Sequence, residues 1–393
     1  MVKRVKYIFL VFFCALVAIV AAAQNEFYKR LVNNGYDIVN IENSGVRQFI
    51  ANRSYDDPEL TGNYSYSVVR TYSKGVSSKP AGLILEWDSI TPVENISKLV
   101  VTLVETDQEA DESILDQDLT DEIVRYYYPP VGRYEYLLCN MRPDRYFYYK
   151  LEEELRDGQR LVRKRGKFYT QGQVRMLRVD GMANVRDFGG WRTSFGKEVV
   201  YGRIFRGNRP EGITYTGKND FVKNENITAD LDLRGSYLSQ SPLGPLNQVE
   251  YYCTNNQRYK LALTSGRSAL AKDLDIIAEV LMRGGNVFLH CNHGMNRAGT
   301  LSFIVEGLLG FSEADLSRDY ELSSFAYGNS RNSTYGAMLP EIRSYGRPGD
   351  DLAQCFYNFA CSLGVHEETL DVIRSIMLDV LPDDPIIVKA HRR

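Results

Sequence analysis

Phe288-Leu289-His290-Cys291-Asn292-His293-Gly294-Met295-Asn296-Arg297-Ala298-Gly299-Thr300 joins three kinds of sequence within thirteen residues. The apolar run Asn286–His290 has the length and composition of a buried strand, and Ala298–Leu309 has those of an apolar helix. The polar residues between them form a tight turn carrying Cys291 and, after five residues, Arg297. Such a turn points successive backbone N–H groups inward at a helix N-terminus, which makes a nest for an anion. The amides of Asn292, His293, Gly294, Met295, Asn296 and Arg297 would form it, with Gly294 easing the curvature. The same field favours a thiolate at Cys291, and Arg297 offers a planar fork to two phosphate oxygens. The segment therefore predicts phosphoester chemistry through a cysteine nucleophile, with no metal or organic cofactor. Cys-(X)5-Arg occurs by chance in long chains, so the strand before it and the helix after it carry the signal.

Outward from this segment the texture remains α/β. Leu270, Leu274, Ile277, Ala278 and Leu281 fall at helical spacing within Ala269–Met282, and Arg283-Gly284-Gly285 stops that helix. Ile227–Leu233 reads as another buried strand, and Ser312-Glu313-Ala314-Asp315 as a helix-opening cap. Strands alternating with helices predict a largely parallel central sheet flanked by helices over residues 173–393. Residues 55–172 read differently. Tyr64–Val68, Ala81–Trp87, Lys98–Val104, Arg133–Leu138 and Arg145–Lys150 are short strand-like runs separated by Pro-containing turns. They predict an all-β antiparallel sandwich. The acidic stretch Glu105–Glu122 lacks the spacing of a calcium loop and reads as solvated.

Three bulk features set limits. The chain has 393 residues, a net charge of −3 and a pI of about 6.0, so no global basic field exists to attract nucleic acid. Lys3, Arg4 and Lys6 precede the apolar run Tyr7–Val20, and Ala21–Ala23 offers a small-residue cleavage site. This reads as a signal peptide over residues 1–23, with Gln24 the first mature residue, an exported product and no membrane span after cleavage. Five cysteines then remain (Cys139, Cys253, Cys291, Cys355 and Cys361), without metal-ligand spacing. Cys355 and Cys361 are candidates for a local disulfide or for two buried helix cysteines.

Four segments together resemble the bacterial tyrosine-phosphatase family of dual-specificity type. They are the Cys291 loop, Asn184-Val185-Arg186-Asp187-Phe188-Gly189-Gly190, Gly202-Arg203-Ile204-Phe205-Arg206-Gly207, and Asp230-Leu231-Asp232-Leu233-Arg234. They occur in the family's order over roughly residues 180–380. Asn140–Tyr148 likewise resembles a corner of fibronectin type III domains. The first resemblance implies a tyrosine-phosphatase-like fold, a cysteinyl-phosphate intermediate, and phosphorylated protein, peptide or inositol-type substrates. The chain departs from the family where an Asp is usual, at Asn296, and where a Thr is usual, at Ala298. Asn296 cannot serve as a general acid, and Ala298 lacks the hydroxyl that normally bonds the thiolate. Asp232, Asp187 and His293 are the substitute acids the sequence offers, while Arg203, Arg206 and Arg234 are candidates to widen the positive field.

The expected organisation is therefore a signal peptide at 1–23, an N-terminal segment at 24–54, a fibronectin type III-like β-sandwich at 55–172, and the phosphatase-like domain at 173–393. Cys291, Arg297, Asp232 and Asp187 are the expected catalytic residues. A module that captures phosphorylated ligands with weakened turnover is the main rival. A sulfur-transfer enzyme fits less well, because the four segments point elsewhere. The partner of the β-rich region is not legible.

Overall fold

The computed structural model describes residues 22–52, 72, 78–118, 124–235, 238–245, 248–327 and 336–388. Nearly all of the expected signal peptide and the strand expected at Tyr64–Val68 lie outside these residues. The chain divides into two compact units. One takes the described residues up to Asn40, Leu83–Leu137 and Pro143–Gln171, and the other takes Ile41–Gly82, Leu138–Arg142 and Gly172–Arg393.

The first unit begins with helix α1 (residues 22–33) and strand β1 (Asp37–Asn40). Strands β3 (Ile96–Thr106), β4 (Val124–Tyr127), β6 (Tyr146–Leu155) and β7 (Arg160–Gln171) complete a five-stranded sheet in the order β1-β7-β6-β3-β4. Short strands β2 (Leu83–Glu86) and β5 (Glu135–Leu138) pair separately. The β7-β6-β3-β4 portion is antiparallel, as the sequence suggests, but β1 joins β7 in parallel. Helix α1 lays Leu31 against Val104, Tyr146, Tyr148 and Tyr169 of the sheet. The tyrosines of this region are thus largely core, and Tyr36 and Tyr148 share a buried hydroxyl–hydroxyl hydrogen bond of 2.6 Å. In the acidic stretch, Asp116 accepts both Nη atoms of Arg165 at 2.7 Å, consistent with a solvated, ion-paired role.

The second unit is α/β. Its sheet runs β11 (Glu250–Cys253), β10 (Ile227–Asp232), β12 (Asn286–His290), β9 (Ile204–Gly207) and β8 (Arg186–Asp187). All pairings are parallel except β8 with β9. Every residue of β12 is buried, as expected for a central strand of a sheet covered on both faces. The helices are α2 (Ser44–Ala51), α3 (Tyr215–Lys218), α4 (Lys260–Thr264), α5 (Arg267–Met282), α6 (Arg297–Leu308) and α7 (Glu313–Tyr327). They continue with α8 (Met338–Arg343), α9 (Leu352–Ser362), α10 (Glu367–Leu378) and α11 (Pro385–Val388). Helix α6 is buried all round after Arg297, the pattern of a helix enclosed by protein. Gly307 lets it approach α9, since an added Cβ would lie 2.3 Å from the Phe356 ring.

Two short segments fall in this unit rather than where the sequence divides. Asn43 caps α2 by accepting the Val46 amide at 3.0 Å, and α2 contributes Val46, Phe49 and Ile50 to the same core as Phe325. Glu42 accepts the amides of Gln173 and Val174 at 2.9 and 2.7 Å. Residues 138–142 are held by Arg178, whose amide meets Asn140 Oδ1 at 2.7 Å. Asn140–Tyr148 is consequently split between the units at Arg142 and Pro143. Cys355 and Cys361 lie on the single helix α9, and all five described cysteines are free thiols. No helix among the described residues is long and apolar enough to cross a membrane.

Replacing Phe49, only 1% exposed, by Ala should cost about 3–5 kcal/mol by cavity formation. Chemical denaturation of the second unit measures that loss, which an exposed N-terminal segment would not show.

Candidate active site

Strand β12 delivers Cys291 to the carboxyl end of the parallel sheet, and α6 begins at Arg297, so residues 291–296 form the expected turn. Gly294 has φ +67°, and a Cβ there would sit 2.3 Å from the backbone of Gly207. Only glycine fits that position without displacing β9. Asn184 Nδ2 donates to the carbonyls of His293 at 3.0 Å and Gly294 at 3.3 Å. Arg206 Nη2 donates to the Gly294 carbonyl at 3.1 Å. In a trans peptide the N–H points opposite its C=O, so tethering these carbonyls turns the amides of Gly294 and Met295 the other way. Among the described residues nothing accepts a hydrogen bond from the amides of Asn292–Arg297. Asn296 supplies no side-chain cap, which leaves the α6 N-terminus open to an anion.

The tethers rest on a buried charge cluster. Asp319 of α7 accepts Arg186 Nε at 2.9 Å and Arg206 Nη1 at 2.6 Å. Arg186 also donates to Asn184 Oδ1 at 2.8 Å, which orients the amide that holds the loop. Burial raises the Asp319 carboxyl, but the Arg186 and Arg206 charges outweigh it and keep Asp319 ionised. Burial and the adjacent Asp319 push the Glu306 carboxyl well above the usual range. Arg186 and Arg206 thus share Asp319 directly behind the loop, with Glu306 3.8 Å from Arg206 Nη1.

A cleft of about 580 Å³ opens at the loop. Two segments line it: Cys291, Asn292, His293, Asn296 and Arg297 of the loop, and Asn255, Asn256, Gln257 and Arg258. Cys291 is 5% exposed, and Arg297 is partly exposed, with Nη1 3.4 Å from the Leu233 carbonyl. His293 is exposed and sets its ring edge-on to Tyr327. Gly294 is buried and Met295 partly buried, so both serve through their backbone.

The two expected acids lie elsewhere. Asp187 accepts the Gly189 and Gly202 amides at 2.9 and 2.8 Å and Arg175 at 3.0 Å. Burial raises its carboxyl while Arg175 opposes the rise, and it does not line the cleft. Asp232 accepts three bonds from Arg234 and one from Tyr251. Burial pushes it up, yet these Arg234 hydrogen bonds hold it below the ordinary carboxylate range. Neither carboxyl is free to give a proton to a ligand in the cleft. Among the described residues no carboxylate lines it. The three arginines expected to widen the field are also engaged: Arg203 with the carbonyls of Gly284 and Leu281, Arg206 with Asp319, and Arg234 with Asp232 and Glu211.

The sequence pattern of the tyrosine phosphatase family matches residues 177–378, just over half of the chain. The chain belongs to the tyrosine phosphatase family. Among solved structures similar to it is the crystal structure of P. aeruginosa TpbA, at 14% identity. That likeness covers 41% of this chain and 89% of TpbA with a TM-score of 0.29, too low to carry an argument. No curated protein matches the chain. Within the second unit, the family-like segments now have physical roles. Asn184 and Arg206 hold the loop carbonyls, Arg186 orients Asn184, and Asp187 ties residues 175, 189 and 202.

Segment 255–258 carries no motif in the sequence, and only its position after β11 at the carboxyl end of the sheet marks it. It is anchored by Asp273, fully buried in α5, which accepts Thr254 Oγ1 at 2.7 Å and Asn256 Nδ2. Tyr259 follows it, donating its hydroxyl to Asn296 Oδ1 at 2.8 Å and its amide to Thr300 Oγ1 at 2.8 Å. Thr300 therefore braces the turn rather than replacing the hydroxyl missing at Ala298. Burial pushes the Asp273 carboxyl up to about 7. Between the unfolded value near 4 and about 7, the folded state binds the extra proton, so stability falls as pH rises across that window. Unfolding measured at pH 4.5 and 7.5 should show a smaller pH-dependent loss in Asp273→Asn than in the natural protein.

Proposed function

We propose that the protein is an exported, cysteine-dependent phosphomonoester hydrolase of protein-tyrosine/dual-specificity type, acting on phosphorylated protein, peptide or inositol-type substrates. The observation that carries the reading is the open ring of amides between Cys291 and Arg297 at the α6 N-terminus. The Cys291 thiolate attacks phosphorus, the P–O bond to the substrate breaks, and its electron pair leaves with the oxygen. Water then attacks the cysteinyl-phosphate, the P–S bond breaks, and inorganic phosphate departs from a regenerated thiolate. Arg297 and the amides hold the equatorial oxygens through both steps. Export rests on the N-terminal charge and apolar pattern, and the fibronectin type III-like reading on Asn140–Tyr148 alone.

The leaving oxygen must take its proton from His293 or from water, because no carboxylate among the described residues lines the cleft. General acid catalysis is worth about 10²–10⁴-fold, and substrates with stable leaving oxyanions need it least. The same feature favours the second reading, a family member that binds phosphorylated ligands and turns them over slowly.

Phosphate release from phosphotyrosine and phosphoserine peptides tests both readings. The hydrolase reading expects release that Cys291→Ser abolishes, with phosphotyrosine favoured by more than about 10²-fold. Asn296→Asp should narrow that preference by speeding the phosphoserine reaction. No release by the natural protein, with rescue by Asn296→Asp, would support the binding module, and release unaffected by Cys291→Ser would refute the mechanism.

A further inference from the structure

We propose that Arg258 makes a second anion subsite in the cleft, so that the preferred substrates are phosphoesters carrying another anionic group. This rests on the reading of the Cys291 loop as a phosphate site. One phosphate is already matched by the loop amides and Arg297, and the cleft of about 580 Å³ is far roomier than one phosphate requires. Arg258 lines the same cleft, exposed, and makes no hydrogen bond or ion pair with a described residue. That separates it from Arg186, Arg206 and Arg234, whose guanidinium groups are all occupied by carboxylates.

The rest of the lining suits an anionic ligand. Asn255, Asn256, Gln257 and Asn296 are carboxamides, so nothing among the described lining residues repels negative charge. Asn256 is 3% exposed, and its Oδ1 has no partner. Asp273 holds the Asn256 carboxamide, so this part of the lining is a fixed neutral group. A guanidinium fork suits a second phosphate or carboxylate better than a point charge would. The sequence suggested a widened positive field from Arg203, Arg206 and Arg234. Beside Arg297, the arginine among the described lining residues of the cleft is Arg258.

The test compares phenyl phosphate with 1,3- and 1,4-phenylene bisphosphate at low salt. Binding to the full-length Cys291→Ser protein is measured by calorimetry, and kcat/KM by phosphate release from the protein with Cys291 intact. The subsite predicts that one bisphosphate isomer exceeds phenyl phosphate by about tenfold in both measures, an exposed guanidinium giving less than a buried one. Arg258→Ala should bring that ratio to about one, Arg258→Glu below one, and Arg258→Lys should retain part of it. A ratio near one in the natural protein overturns the proposal, as does a ratio that survives Arg258→Ala. If phosphate release is absent while the binding ratio behaves as described, the hydrolase reading fails and the subsite stands.

Discussion

The pairing of Asp319 with Arg186 and Arg206 is the interaction on which the site depends. A nest of amides is unstable by itself, because the carbonyls on the other side of each peptide need donors. Here Asn184 and Arg206 provide them from behind, and Asp319 fixes both arginines within a fully buried setting. The desolvation of two guanidinium ions is offset by one ionised carboxylate and by hydrogen bonds to the loop backbone. Breaking that pairing would release the carbonyls and let the amides turn away from the cleft.

The same arrangement separates recognition from proton transfer. Recognition uses backbone and buried charge, which survive the changes at Asn296 and Ala298. Proton transfer needs a titratable group at the leaving oxygen, and segment 255–258 presents carboxamides and Arg258, which leaves that role to His293 or water. Asp187 and Asp232 are committed carboxylates, Asp187 to two backbone amides and Arg175, Asp232 to one backbone amide, the Arg234 guanidinium and Tyr251.

What could be read from the sequence follows from locality. Strand, loop and helix around Cys291 lie within about twenty residues, and their pattern alone gives the turn. The roles of Arg186 and Arg206 depend on Asp319, more than 110 positions away, so a sequence in isolation leaves them looking like surface cations. Asp232 looks like an acid at a strand end until Arg234 and Tyr251 fold onto it. Segment 255–258 is plain polar loop without periodicity, and only the adjacency of β11, β10 and β12 brings it into the cleft with Cys291. Segment 41–52 is equally silent, because a helix of eight residues such as α2 gains its meaning from the core that Phe49 enters.

A crystal structure of the protein with bound tungstate, a phosphate mimic, tests the central claim most directly. The oxyanion should lie against Cys291 Sγ, with its oxygens about 2.7–3.2 Å from amides between Asn292 and Arg297 and from the Arg297 guanidinium. Asn184 and Arg206 should still hold the loop carbonyls. Tungstate bound elsewhere, or a loop whose carbonyls face the anion, would contradict the account.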